Sequence, residues 1–270
     1  MNVAISNIAW DRHEDEPVRG VLESHGVKGV EVAPTKVWDR PLEATDDDLL
    51  AYSRWWAGRG MAVVAAQSLL FGRPDLVLFR EPEARARMLA YLSEVVRVCA
   101  TLGARALVFG SPGNRIVGGM PRREAMEIAV RFFSDLGDVA SEHGTCLCIE
   151  ANPAEYGADF VQTTAEATDL VRRVANPGFR LHADVSTMII NGEECEAAIE
   201  DGFDLLRHVH VSEPHLGIVG AWPAYHARVA NRLRTLGYDR WVSIEMRAGQ
   251  AESNPEAVRR AVEFAMGCYG

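Results

Sequence analysis

A chain of 270 residues with 48 % hydrophobic and 24 % charged side chains has ordinary globular usage, which excludes a disordered or fibrous protein. Its 28 basic and 38 acidic residues leave a net charge of −10, the wrong balance for gripping a nucleic-acid backbone. Folding at this length buries roughly three-quarters of the surface the unfolded chain exposes, so the cysteines, odd in number and without C-x-x-C spacing, are needed neither as staples nor as a zinc site.

The opening M-N-V-A-I-S-N-I-A-W has no basic n-region, no long apolar h-region and no A-x-A cleavage signal. No later run reaches the ~18 apolar residues of a membrane span. A soluble, cytoplasmic protein without a membrane partner is expected. Val3–Ala9 reads as the first strand, and the turn after it lacks G-x-G-x-x-G, which disfavours a dinucleotide-binding domain. Further short apolar runs follow at Gly29–Val32, Ala62–Gln67, Ala106–Phe109, Cys146–Glu150, Phe179–Asp184, His208–Val211 and Val242–Glu245.

Amphipathic segments separate these runs. Asp46-Asp47-Asp48 places favourable negative charge at a helix start. Leu89, Leu92, Val96 and Cys99 repeat at helical spacing, and Ala125, Ile128, Ala129, Phe132, Phe133, Leu136, Val139 and Ala140 form the clearest apolar stripe. Thr163-Thr164-Ala165-Glu166 is a capping box, and Asn254-Pro255 reads as a cap residue before a first-turn proline. Gly26, Gly60, Gly103, Gly144 and Gly237 are placed to end helices. Eight strand-then-helix units without a linker predict one domain over residues 1–270, an α/β fold with a single closed (β/α)₈ barrel, the TIM barrel. The longest non-repeating stretches, Ser68–Arg80 and Ser111–Met120, both follow strands, on the face where such barrels build their sites.

The last four strands each end on an ionisable residue: C-L-C-I-E at Glu150, L-H-A-D at Asp184, R-H-V-H at His210 and W-V-S-I-E at Glu245. They are about one βα unit apart, so their side chains can converge above the barrel. Three carboxylates and one imidazole make a hard O₃N set suited to Mn²⁺, Mg²⁺ or Co²⁺. Without a cation the acids would repel, raising the pKa of at least one. The competing reading, separate acids capping helices or pairing with arginines, fits any one position better than it fits four consecutive strands.

This strand-terminal series resembles the xylose isomerase-like TIM barrels of the sugar phosphate isomerase/epimerase superfamily. F-G-S-P-G-N-R at 109–115, I-E-A-N-P-A-E-Y-G-A-D-F at 149–160 and H-V-H-V-S-E-P at 208–214 add to the match. The resemblance implies a divalent metal, Mn²⁺ first and Mg²⁺, Co²⁺ or Zn²⁺ otherwise, held by Glu150, Asp184, His210 and Glu245. It also implies that Glu150 and Glu245 act as the acid/base pair, moving a proton on the carbon beside a chelated carbonyl. The expected function is therefore a metal-dependent isomerase or epimerase of a sugar, keto-sugar or cyclitol. The alternatives are a dehydratase or lyase of a 3-keto sugar or inosose, and a non-catalytic sugar-binding barrel. Relatives are often dimers or tetramers, so a homo-oligomer is compatible with the resemblance.

Two positions depart from the ketose-epimerase pattern. Thr187 stands where those enzymes carry a histidine, and S-E-P-H-L-G at 212–217 offers Glu213 and His215 in place of a substrate-binding arginine. Arg115 and Arg247 are the candidates for gripping a substrate carboxylate or phosphate, against the alternative of ordinary ion pairs. His182 and His208 lie two residues before Asp184 and His210, pointing inward one layer deeper, as core or supporting histidines. Trp10 suits either a sugar face or the core; Trp55-Trp56 and Cys146-Leu147-Cys148 read as packing. Neither Lys28 nor Lys36 ends a clear strand, so a Schiff-base aldolase is disfavoured. Three site carboxylates with one M²⁺ sum to about −1, which favours a neutral, hydroxyl-rich substrate over a phosphate ester.

Overall fold

Short Val-, Ala- and Leu-rich segments can be buried on both faces, and here they form a parallel sheet that closes on itself. The computed structural model describes all 270 residues. The strands are β1 (Asn2–Ser6), β2 (Gly29–Val32), β3 (Ala62–Ala66), β4 (Leu107–Phe109), β5 (Leu147–Ile149), β6 (Phe179–Asp184), β7 (Leu206–Ser212) and β8 (Trp241–Glu245). Each pairs with the next, and β8 returns to β1 in the register Asn2–Trp241 to Ile5–Ile244. All eight expected strands are present. The first is shorter than expected, because Ser6 Oγ accepts from the amide of Ile8 and turns the chain into a 3₁₀ turn over Asn7–Ala9.

Around the barrel lie α1 (Asp15–Ser24), α2 (Pro34–Val37), α3 (Asp46–Ala57), α4 (Pro82–Leu102), α5 (Arg122–Glu142), α6 (Thr164–Val174), α7 (Val185–Asn191), α8 (Cys195–Gly202), α9 (Pro223–Thr235) and α10 (Asn254–Tyr269). The predicted stripe of α5 faces inward, with all but the half-buried Val139 buried. Its Phe133 stacks on Phe179 of β6 at 4.6 Å and meets Phe109 of β4 edge-on at 5.2 Å. Each such ring contributes about 1.5–3 kcal/mol by leaving water, which fixes the helix against two strands that carry the site.

The five expected helix-ending glycines all adopt positive φ; Gly103, at +102°, closes α4 in a conformation that a side chain would strain. Thr163 caps α6 as expected, but Glu166 reaches the amide of Gln162 rather than that of Thr163. The cap of α10 is Ser253, one residue before the expected Asn254, whose carboxamide instead ties Gly249 and Glu14. Trp10 belongs to the core: it is buried, its Nε1 donates to Asp15 at 2.7 Å, and it meets Trp56 edge-on at 6.3 Å. No helix is long and apolar enough to cross a membrane.

Candidate metal and active site

Parallel register sets the heights of the polar groups at the C-terminal mouth. Asp184 lies directly beside His210, and Glu245 lies beside Ser212, two residues further along β7. Glu150 follows β5. His210 Nδ1 sits 3.5 Å from Glu150 Oε1 and 3.4 Å from Glu245 Oε2, yet it is buried and forms no hydrogen bond. One donor atom each from Glu150, His182, Asp184 and His210 fall within 4.8 Å of one another. Three of the expected residues, Glu150, Asp184 and His210, are brought together there with His182, whose Nε2 is 3.8 Å from Glu150 Oε1 and whose ring nitrogens are both unbonded; Glu245 lies outside this group and reaches it through His210.

The opposite nitrogen of His210 explains its aim. His210 Nε2 is 3.1 Å from both carboxylate oxygens of Glu31, and His208 Nε2 is 3.3 Å from Glu31 Oε2. Nε2 faces Glu31, so Nδ1 is the nitrogen turned toward Glu150 and Glu245, and it offers them a lone pair only when the ring is neutral. Carboxylates that orient an imidazole in this way are a recurring support of metal sites. Glu31 is fully buried on β2 and was not among the sequence candidates. Its signal was present: it is the one charged residue in G-V-E-V, a strand buried throughout.

Electrostatics follow from this packing. Burial works to raise the Glu31 carboxyl, but His210 and His208 hold it well below the usual range. Burial also works against a charge on His210, yet Glu31 and then Glu245 push its pKa well above the ordinary value. His182 is pushed well down by burial and by the neighbouring imidazoles. Burial, then repulsion from Glu150 and Glu245, raises Asp184 to about 7. Burial raises Glu245 as well, with His210 opposing it. Clustered acids that resist ionisation beside an unbonded imidazole nitrogen form a donor set that a hard or borderline dication fits.

Glu150 is held from behind. Arg115 Nη2 donates to Glu150 O at 2.7 Å and to Asn152 Oδ1 at 2.6 Å, while Asn152 Nδ2 donates to Glu150 Oε2 at 3.1 Å. Arg115 was expected to bind substrate; instead it is fully buried, its pKa lowered to about 10 by burial, with its Nη2 bonded to protein. Gly110 gives the carboxylate room, since a Cβ there would collide with Glu150 Oε2. Asp184 accepts from the amide of Thr187 at 2.6 Å and from the Ser212 hydroxyl. The Thr187 hydroxyl donates to Ala151 O at 3.0 Å and is buried, so it does not replace the missing histidine as a donor to substrate.

Glu213 also departs from expectation. It is buried, accepts from the amides of Gly220 and Trp222 at 3.0 Å each, and lies 3.3 Å from His226, so it ties down the loop after β7. His215 stands on the exposed rim at φ +61°; its amide donates to the Tyr156 hydroxyl at 2.8 Å, and its ring is 3.1 Å from Glu155. Arg247 is exposed beyond β8, its amide bonded to Leu216 O at 3.0 Å.

A cleft of about 330 Å³ opens above Glu150 and Glu245, walled by Gln67, Ser68, Phe71 and Asn114, with no arginine or lysine in its lining. A larger hollow of about 750 Å³ lies on the outer surface between α5 and α6. Its arginines are committed, Arg122 to Glu166, Arg123 to Glu127 and Arg173 to Asp169, and none of the converging groups faces it. Glu150 and Glu245 line only the smaller cleft.

Comparison with known proteins agrees with this architecture. A family model for xylose isomerase-like TIM barrels matches residues 20–267. Among solved structures, D-psicose 3-epimerase from Clostridium cellulolyticum H10, determined with D-tagatose, superposes with TM-score 0.81 at 14 % identity, covering 100 % of this chain and 99 % of that one. The 3-keto-D-glucoside 4-epimerase of E. coli also gives 0.81, at 19 % identity over 99 % and 100 % of the two chains. The IolI protein, solved with a bound zinc atom, gives 0.76 at 16 % identity over 100 % and 98 %. These likenesses concern the fold. A release factor glutamine methyltransferase from Vibrio cholerae is 24 % identical over 230 residues, 80 % of this chain and 79 % of that protein. That pairing shows no family, and the first βα turn here, Asn7–Trp10, has no glycine to cradle a nucleotide-like cofactor.

Proposed function

The chain belongs to the xylose isomerase-like TIM barrel family, and we propose that it is a divalent-metal-dependent isomerase or epimerase of a neutral sugar, keto-sugar or cyclitol. The observation that carries this reading is His210 Nδ1, buried, unbonded and aimed between Glu150 and Glu245. Glu150, Asp184, His210 and Glu245 would hold the ion, with His182 beneath them. Their oxygen-rich donor set favours Mn²⁺, although IolI shows that a barrel of this shape can carry zinc. When bound, the ion would act as a Lewis acid, drawing electron density from a substrate carbonyl and acidifying the adjacent C–H.

The remaining work falls to the chain itself. Glu150, fixed by Asn152 and Arg115, is oriented to take a proton. Glu245, whose proton affinity is raised by burial, suits the group that holds and returns one. Return on the opposite face gives epimerisation, and return to the neighbouring carbon gives isomerisation. The absence of cations from the cleft lining favours an unphosphorylated substrate. The names of the structural neighbours, two of them sugar epimerases, support the same substrate class. The five free cysteines suit a reducing, cytoplasmic setting.

The test is a panel of keto-sugars, inososes and their phosphates in D₂O with Mn²⁺, read by NMR for deuterium uptake and by mass for loss of water. Exchange without mass loss from a neutral member is expected. Loss of water would move the reading to a dehydratase. Full exchange in both Glu150→Gln and Glu245→Gln would remove those residues from the mechanism, and purified protein that binds no divalent metal would favour a non-catalytic barrel.

A further inference from the structure

We propose that His182 is itself a metal ligand: the ion sits one layer down in the barrel on Glu150, His182, Asp184 and His210, with Glu245 at the edge of its shell. This rests on the reading above and assigns the donors of its ion. The quartet implied by the family resemblance and the quartet assembled by the fold differ in one member. Donor atoms of Glu150, His182, Asp184 and His210 lie within 4.8 Å of one another, a grouping that Glu245 does not join.

Register explains the depth. Ile149 of β5 pairs with Leu181 of β6, so Glu150, the next residue, leaves its strand at the height of His182. Asp184 lies beside His210, whereas Glu245 lies beside Ser212, two residues further along β7. Side chains alternate along a strand, so His182 and Asp184 turn to the same side of β6. The His182 ring meets that of His210 edge-on at 4.1 Å.

Three atoms without a hydrogen bond meet at this level. His182 Nε2 and His210 Nδ1 are buried and unbonded. Glu150 Oε1 is the oxygen that Asn152 does not hold, since Asn152 Nδ2 donates to Oε2. Glu150 Oε1 lies 3.8 Å from His182 Nε2 and 3.5 Å from His210 Nδ1. Both separations exceed the roughly 2.7–3.2 Å of a nitrogen–oxygen hydrogen bond. They lie close to the edges, about 3.3–3.6 Å, of a tetrahedron drawn around a metal with bonds of about 2.0–2.2 Å. The oxygens of Asp184 accept from the Thr187 amide and the Ser212 hydroxyl, bonds of the kind that orient a ligating carboxylate.

A packing role accounts for His182 less well. A neutral imidazole carries one donor and one acceptor, and burying both without partners costs stability that an apolar side chain would not forfeit. Coordination through Nε2 uses the acceptor and fixes the proton on Nδ1. The consequence is selectivity. Two imidazoles and two carboxylates are a softer set than one imidazole and three carboxylates, so His182 shifts the preference toward Co²⁺ and Zn²⁺ relative to Mn²⁺. Glu245, less tied to the ion, stays available to hold and return a proton.

The full-length protein, its histidines labelled with ¹⁵N, is loaded with ¹¹³Cd²⁺ and read by NMR for one-bond couplings between cadmium and imidazole nitrogen. Two coupled nitrogens are expected in the wild type and in Glu245→Gln, and one in His182→Leu. His182→Gln should also show one, and it decides the count if the leucine variant does not fold. A single coupled nitrogen in the wild type would overturn the proposal, as would a pair that survives in His182→Leu and falls to one in His208→Leu. Isothermal titration gives a second readout. The ratio of Co²⁺ to Mn²⁺ affinity should fall fivefold or more in His182→Leu and stay within twofold in Glu245→Gln. Equal losses for both ions in His182→Leu would make it a packing residue and overturn the proposal. The functional reading fails separately: two coupled nitrogens without deuterium exchange on any sugar would remove that reading and keep the ligand, and exchange with one coupled nitrogen would do the reverse. Protein that takes up none of the three ions removes both.

Discussion

The two halves of the barrel finish differently at the same mouth. Around β1–β3 the terminal groups are polar, uncharged and bonded to one another: Gln67 Nε2 donates to Ser6 Oγ at 2.5 Å, and Asn7 Oδ1 accepts from the amide of Ala33 at 2.8 Å. At β5–β8 the terminal groups are Glu150, Asp184, His210 and Glu245, with the carboxyls of Asp184 and Glu245 raised and a nitrogen of His210 left without a partner. The first half is satisfied as protein, whereas the second leaves a deficit that a cation would fill. Glu31 breaks the division. It starts on β2, yet closure of the sheet lets it cross the interior and hold His208 and His210 of β7.

The largest expected effect lies in the charged half. Glu150→Gln and Glu245→Gln should each lower kcat by about 10²–10⁴-fold, the usual worth of a positioned acid or base, while metal remains bound. Single-turnover deuterium exchange checks the rate and elemental analysis checks the metal. A loss of less than tenfold in either variant would make the two halves chemically alike.

Next comes the fit around Glu150 at Gly110, which follows β4 and faces the carboxylate at the end of β5. Gly110→Ala has to displace the carboxylate, and a misplacement of about 1 Å can cost on the order of 10²-fold in rate. Circular dichroism should stay native while kcat/KM falls. Unchanged kinetics would mean that Glu150 tolerates relocation.

Glu31→Gln tests the crossing directly. It removes the carboxylate that holds Nε2 of His210 and should weaken Mn²⁺ or Co²⁺ binding by about 10–100-fold, as loss of such supports does. Isothermal titration of the metal provides a readout independent of turnover, and Glu31→Asp should recover part of the affinity. An unchanged dissociation constant would leave Glu31 as core filler.

The smallest effect is one of stability. Asp184, raised to about 7, binds a proton more tightly folded than unfolded. Its contribution is whole below the unfolded value of about 4 and is lost as pH rises through its folded value. Glu245 and His210, also raised, run the same way, Glu31, lowered, contributes throughout that range, and His182, lowered, runs the other way only below the ordinary imidazole value of about 6.5. Metal-free protein should therefore melt lower at about pH 8 than at about pH 6.5, by about 2–4 °C per kcal/mol lost. Added Mn²⁺ should reverse the trend, because its ligands must be deprotonated. Scanning calorimetry with and without chelator checks both signs, and a metal-free Tm that rises toward pH 8 would contradict the crowding of acids in the second half.

Local patterns made much of this molecule legible. Alternating apolar runs and amphipathic stripes specify eight βα units, because burial on two faces and on one face leave different periodicities. Acids and an imidazole ending four consecutive strands specify the converging groups, because in a parallel barrel every strand end faces the same mouth. Glu31 was harder to read: a glutamate inside a short strand carries no sign of what lies across the interior. Arg115 and Glu213 looked like substrate groups because a charged side chain in a site loop reads as exposed. The folded chain instead buries both, one behind Glu150 and one beneath the loop after β7.

The sequence by itself determined the fold class, the strands and that Glu150, Asp184 and His210 meet at one mouth, all of which follow from spacing along one chain. Only the tertiary structure decided which nitrogen of His210 faces the carboxylates and that Arg115 is buried behind Glu150. Those depend on contacts between residues far apart in sequence, such as Glu31 with His210, and on backbone turns that no local periodicity records.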